Sequence, residues 1–231
     1  MRAPVRLFLA SSNPGKLAEF RDLARDAGPG APTTPQLAPD PATNVVPTSA
    51  APQVELDLAP WFDELPPFEE DAPTFAENAL GKALHYSRSH DGFVFADDSG
   101  LVVPALGGAP GVRSARYAGP AATGAQRNAK LLEELQGKRD TERAAYFVCA
   151  IALVQRGRAV AIVSDRVDGL ILDAPSGTQG FGYDPVFYVP ALNKTFAELS
   201  PQEKNHHSHR GKAFRRLRSL ITQITSPAPS T

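Results

Sequence analysis

Apolar residues recur along this chain with two different periods. The run at residues 5–10 is continuous enough for a buried strand. After it, Leu17, Phe20, Leu23, Ala24 and Ala27 fall on one helical face, with Ser12 or Asn13 as cap, Pro14 in the first turn and Gly28 at the end. Thr74-Phe75-Ala76-Glu77 has the capping-box spacing and opens a second helix to about Ser89. Strand-like runs at 93–96 and 101–106 flank Asp97-Asp98-Ser99-Gly100, which reads as a turn. A third helix covers 123–135. Two long β-rich runs, 145–155 and 158–167, meet at Arg156-Gly157 as a hairpin. Residues 169–172 and 186–189 are shorter strand candidates. Ser200 opens a short helix, and Ser208 caps a last one whose apolar face carries Phe214, Leu217, Leu220, Ile221 and Ile224. Strands interleaved with helices, plus a hairpin, predict an α/β fold with a mixed sheet and flanking helices.

Composition adds organisation. Of 22 prolines, 11 lie between positions 29 and 73, and residues 29–54 show neither period, so they read as a flexible insertion in a single domain spanning 1–231. Residues 55–77 carry eight carboxylates and no Lys or Arg; residues 204–231 carry no carboxylate. The whole chain is nearly balanced, with 24 basic and 25 acidic residues and a net charge of −1. That balance argues against a nucleic-acid binder. The longest apolar run, 144–154, is far short of the ~20 residues of a membrane span. The single Cys149 sits in that run and reads as a buried thiol; a cytoplasmic location is expected.

Five segments carry candidate chemistry. Ser11-Ser12-Asn13-Pro14-Gly15-Lys16 joins a strand to a helix, where free N–H groups and the helix dipole favour an anion and Lys16 adds a charge. The alternative is a capped helix with a solvated Lys16. Asp97 and Asp98 suit a hard cation such as Mg2+, or simply an acidic turn. Glu77 either joins them at the metal or closes its own capping box. Lys204, His209 and Arg210 sit near helix N-termini, where positive charge is unfavourable, and so call for a compensating anion or electron-rich ligand. A zinc site at His206, His207 and His209 is poorly supported by their spacing. In Gly180-Phe181-Gly182-Tyr183-Asp184-Pro185, glycines bare the ring of Phe181 for stacking, unless the loop tucks that ring into the core.

Taken in order, the blocks at 11–16, 74–79, 96–101 with 111–119, 180–185 and 208–213 resemble the motifs of the inosine/xanthosine triphosphate pyrophosphatase family. The resemblance covers nearly the whole chain outside 29–54; that insertion is longer than the family pattern, and Gln179 replaces a usual glycine. It implies an elongated mixed sheet with a cleft between two lobes, a homodimer, and Mg2+-dependent hydrolysis of ITP, dITP or XTP to the monophosphate and pyrophosphate. By similarity, Ser11, Ser12, Asn13, Pro14, Gly15 and Lys16 would hold the triphosphate. Asp98 would be general base and metal residue, supported by Asp97 and Glu77. Ser99 would contact substrate. Phe181, Gly182, Tyr183 and Asp184 would line the nucleoside pocket, and Lys204, His209 and Arg210 would contact base or phosphate. Arg and Lys only donate hydrogen bonds, so they suit a 6-oxo purine and leave the 6-amino group of adenine unpaired. Guanine shares the 6-oxo group and is not separated on that ground. Rival readings are a non-catalytic nucleotide sensor, a nucleic-acid binder using the last helix, and a pyrophosphatase for other nucleotides.

Overall fold

The computed structural model describes residues 4–25, 54–88 and 90–225. The expected insertion at 29–54, apart from Val54, and the predicted end of the first helix at Ala27 lie outside the described residues. A seven-stranded sheet of order β2-β1-β3-β4-β5-β6-β7 runs through the rest. Its strands are β1 (Val5–Leu9), β2 (Val54–Leu58), β3 (Phe93–Val102), β4 (Ala144–Gln155), β5 (Arg158–Ile171), β6 (Phe187–Val189) and β7 (Lys194–Thr195). β1 pairs in parallel with β2 and β3, and every later pairing is antiparallel, so the sheet is mixed as expected. The β4–β5 hairpin turns at Arg156 and Gly157, with φ of 51° and 67°. Positive φ at both turn residues matches the right-handed twist of the flanking strands.

Three strand expectations need correction: first, the run at 101–106 leaves the sheet at Val102, because Pro104–Leu106 forms a 3-10 turn. Asp97-Asp98-Ser99-Gly100 is not a turn: β3 runs straight through it, with Asp97 opposite Ile151 and Asp98 opposite Ala150 on β4. The apolar length of β4 supplies partners for ten consecutive residues, and that ladder overrides the local turn preference of Asp and Gly. Residues 169–172 are not a separate strand, because β5 continues to Ile171. β2 and the two-residue β7 have no expectation to match them.

Helices cover both faces. α1 (Pro14–Arg25) and α5 (His209–Thr225) bury Phe20, Leu23, Phe214, Leu217 and Ile221 against Leu7, Leu9, Phe95 and Ile151. On the opposite face α2 (Phe75–Tyr86) packs Ala79, Ala83 and Tyr86 onto Val94, Ala96, Ala150 and Ala152. Alanines on both sides let the helix axis approach the sheet closely. A third core, at the β5–β6 end, gathers Leu101, Phe147, Phe187 and Phe196 with Leu131 of α3 (Gly124–Glu134). The short α4 (Pro201–His207), capped by Ser200, leads into α5. The cleft is lined by Phe68 and Tyr86 of the α2-side core and by Phe147 and Tyr183 of the β5–β6 core. No helix among the described residues is long and apolar enough to cross a membrane.

Candidate active site

The β1–α1 junction is built by capping. Asn13 Oδ1 accepts the amide of Lys16 at 3.1 Å, and Ser11 Oγ accepts that of Asn13 at 3.3 Å. Asn13 therefore does cap the helix, yet Lys16 is not solvated. Its side chain is only 12% exposed, and its Nζ lies 3.0 Å from Asp97 Oδ2. Ser11, Ser12, Asn13 and Lys16 line a cavity of about 620 Å³. Pro14 and Gly15 form the first helical turn behind that wall, and a Cβ on Gly15 would lie 2.7 Å from Phe181 Cδ1.

β3 divides its two carboxylates between opposite faces, because successive strand residues point opposite ways. Asp97 faces α1 and α5. It is fully buried, pairs with Lys16 and lies 3.7 Å from Arg210 Nε. Burial opposes its ionisation, but Lys16, Arg210 and Lys82 outweigh that and hold its pKa far below the usual carboxylate range. It is not among the cavity-lining residues, so the structure does not place it as a metal residue beside Asp98. Asp98 faces α2 and lines the cavity. Its Oδ2 accepts Asn78 Nδ2 and its Oδ1 accepts the amide of Ser99, each at 2.9 Å. Burial is the main influence on it; with the charge of Glu70 added, its pKa is pushed up to about 6 despite Lys16. Gly100 follows because the segment Gly111–Arg116 crosses this face: an added Cβ would sit 2.7 Å from the Gly111 carbonyl. Close packing, not a turn, explains that glycine.

Glu77 does not join Asp98. It is exposed on the first turn of α2, where its Oε2 accepts the Thr74 hydroxyl at 2.7 Å and its amide donates to Thr74 Oγ1 at 3.2 Å. Glu70, paired with Lys82, lines the cavity on the α2 side. Lys82 also donates to the Asp97 carbonyl at 2.6 Å. Asn78 and Lys82, four residues apart on the inner face of α2, thus position Asp98 and Glu70. Sequence reading assigned a role to none of Glu70, Asn78 and Lys82. A Lys and an Asn on an otherwise alanine-lined helical stripe were the available signal.

The opposite wall is the loop 180–184 with α4 and α5. Gly180 and Gly182 take φ of 72° and 64°, which folds Phe181 back so that its amide donates to Asp184 Oδ2 at 2.7 Å. Tyr183 is buried and donates to the Ser114 carbonyl at 3.0 Å. Asn128 of α3 donates to the Gly182 carbonyl at 3.2 Å. Lys204 lies 4.7 Å above the Phe181 ring and pairs with Asp184 and, at 2.7 Å, with Glu19. Arg210 pairs with Glu19 and donates to Ser99 Oγ at 2.8 Å. The unfavourable cations at these helix starts are thus compensated by Glu19 of α1, a residue sequence reading left aside. Burial opposes ionisation of Glu19, but Arg210 and Lys204 bring its pKa below the usual range. Burial keeps Asp184 above that range despite Lys204. His209 stacks on Phe147 with centroids 4.7 Å apart and rings within 7° of parallel. Burial and the nearby Arg210 and Lys204 hold it neutral, and its Nδ1 is buried without a hydrogen-bond partner. No metal-holding group of three His, Cys, Asp or Glu occurs among the described residues, so His206, His207 and His209 form no zinc cluster. Ser99, Phe181, Gly182, Tyr183, Asp184, Lys204, His209 and Arg210 all line the same cavity as Lys16 and Asp98.

The arrangement brings together a helix N-terminus with a lysine, two carboxylates on a buried wall, and an aromatic loop backed by donors. The chain as a whole is similar to known proteins. A dITP/XTP pyrophosphatase of Geobacillus kaustophilus is 54% identical over 211 residues, 91% of each chain. One of Coxiella burnetii is 41% identical over 95% of this chain and 98% of its own. The solved structure of a HAM1 protein from Coxiella burnetii superposes with a TM-score of 0.76 at 40% identity, over 95% of this chain and 99% of that one. The Staphylococcus aureus Ham1 protein gives 0.75 at 33% identity, over 95% and 100%. The Ham1 family model matches residues 7–220, and with these relatives it establishes that the chain belongs to the Ham1 family.

Proposed function

We propose that the protein hydrolyses non-canonical purine nucleoside triphosphates (dITP, ITP and XTP) to the monophosphate and pyrophosphate, with Mg2+ held by Asp98 and Glu70. One observation carries the reading: Asp98, pushed up to about 6 by burial and by the charge of Glu70, faces the same cavity as Lys16 and Phe181. Glu70 is paired with Lys82, but Asp98 has no ion-pair partner among the described residues, and a divalent cation supplies that charge. No group of three His, Cys, Asp or Glu poised for a metal occurs among the described residues. Two carboxylates still fit Mg2+, whose protein ligands are often one or two carboxylates, with substrate phosphates and water completing the shell.

When bound, the ion would offset phosphate charge and lower the pKa of an attacking water. The remaining work falls to side chains. The positive N-terminal end of α1 and the ammonium of Lys16 hold phosphate oxygens. Asp98 is ionised at neutral pH and accepts the proton of the attacking water. Asn78 and the Ser99 amide fix the orientation of that carboxylate. Phe181 offers a stacking surface. Lys204 has three donors, of which Glu19 and Asp184 take two, leaving one for a 6-oxo group.

Pyrophosphate release is measured from ITP, dITP, XTP, ATP and GTP, with and without Mg2+. Equal rates for ITP and ATP, or full activity in excess chelator, would refute the reading. The homodimer implied by the resemblance is proposed alongside it. Sedimentation equilibrium showing a monomer at micromolar concentration would remove it. A cytoplasmic location is proposed as well, and fractionation of lysed cells tests it.

A further inference from the structure

The segment before α2 is held on that helix as a strap. His85 Nε2 lies 2.8 Å from the Pro66 carbonyl. Asn78 holds both polar groups of Ala72, accepting its amide at 2.9 Å and donating to its carbonyl at 3.4 Å. Between these ends, the Glu70 side chain pairs with Lys82 and its carbonyl accepts Arg116 Nη2 at 2.5 Å. Asn78, Gly81, Lys82 and His85 follow one another at spacings of three, one and three residues, which places them on one face of α2. Gly81 is the unexpected member, because glycine in a helix interior is disfavoured relative to alanine. Its space is taken. A Cβ at position 81 would lie 2.5 Å from Phe68 Cζ and 3.2 Å from Cε2.

We propose that Gly81 is a positioning residue: its bare backbone seats the Phe68 ring on α2, and that seat holds the Glu70 carboxylate, two residues on, opposite Asp98 so that both grip one divalent ion. The inference rests on the metal reading given above. Phe68 packs against the α2-side core and lies 5.8 Å from the His85 ring, so displacing it moves the strap rather than a free side chain. The mid-helix glycine is thereby explained by the placement of a ligand rather than by the helix itself.

The test compares wild type, Gly81→Ala, Phe68→Leu, the double variant and Glu70→Gln, counting free against bound Mn2+ by electron paramagnetic resonance. Melting temperature is recorded in parallel. Gly81→Ala is expected to weaken Mn2+ binding by about tenfold, the size usual for groups that orient a metal ligand. Its melting temperature should change little, because the helix gain of alanine offsets the packing lost when the Phe68 ring shifts. In the Phe68→Leu background the same change should weaken binding by less than about twofold, because the two residues act through one contact. Wild-type Mn2+ affinity in Gly81→Ala, a matching drop in melting temperature, or an undiminished effect in the double variant would each overturn the proposal. If Glu70→Gln binds Mn2+ as wild type does, the metal reading itself fails and takes this inference with it. If Glu70→Gln is weakened and Gly81→Ala is not, only the role of Gly81 falls.

Discussion

Replacing Asp98 by Asn separates catalysis from folding. The carboxyl group moves from an ordinary value of 3.8 to about 6 in the folded protein. Two units at about 1.4 kcal/mol each amount to about 3 kcal/mol of differential interaction. Because the folded pKa is the higher one, the folded state binds the proton more tightly. The contribution to stability is therefore complete below the unfolded value near 4 and is lost as pH rises through about 6. Above that, the protein carries a buried charge that weakens it. The substituted asparagine never ionises, but its amide nitrogen would face a donor, either Asn78 Nδ2 or the Ser99 amide, at a pH-independent cost of about 1–3 kcal/mol. The informative quantity is the stability difference between variant and wild type as pH changes. Urea unfolding followed from about pH 4 to about pH 8 should show Asp98→Asn gaining about 3 kcal/mol relative to wild type. Pyrophosphate release from ITP should be nearly abolished. Added Mg2+ at the upper pH should narrow the gap, because it stabilises only the protein with a charged Asp98. A difference that stays flat within about 0.5 kcal/mol across the range would refute the account of Asp98 as a destabilised, poised carboxylate.

Two further outcomes follow from the cation wall. Glu19→Ala leaves Lys204 and Arg210 buried with one anion fewer and should cost about 3–5 kcal/mol in urea unfolding; a loss under about 1 kcal/mol would mean that water already relieves these charges. Arg210→Ala should reduce the preference for ITP over ATP by tenfold or more, read as a ratio of kcat/KM values so that the folded fraction cancels, and an unaltered ratio would assign base reading elsewhere.

Much of the fold was legible because its strongest signals are local. Helix caps at Asn13, Thr123, Ser200 and Ser208, and the Arg156-Gly157 turn, are decided by residues a few positions apart. The ordered motif blocks likewise brought Lys16, Asp98, Phe181 and Arg210 to one cavity. What stayed hidden depends on pairing across the chain. The turn preference of Asp97-Asp98-Ser99-Gly100 yields only because β4 lies alongside, fifty residues later. Glu19 carries no local signal, and its role shows only where α4 and α5 bring Lys204 and Arg210 against it. Glu70 sat within an acidic run whose members are indistinguishable by type. Contacts from Lys82 and Arg116 single it out, whereas the spacing of Glu77 is visible in one helical turn and its capping-box reading holds.

Placing the reactive carboxylate inside a strand also settles why two adjacent aspartates can do opposite things. A loop would let both turn toward the same cation and share its charge. The β3–β4 ladder prevents this by fixing Asp97 opposite Ile151 and Asp98 opposite Ala150, so their side chains leave on different faces. On one face α1 and α5 bring Lys16 and Arg210, and Asp97 stays ionised as the anchor of both. On the other face α2 contributes the neutral amide of Asn78 to Asp98, while Lys82 pairs with Glu70 instead. Asp98 is left short of positive charge. The shortfall is a property of the sheet geometry, and the proposed metal-binding and proton-accepting roles of Asp98 rest on it.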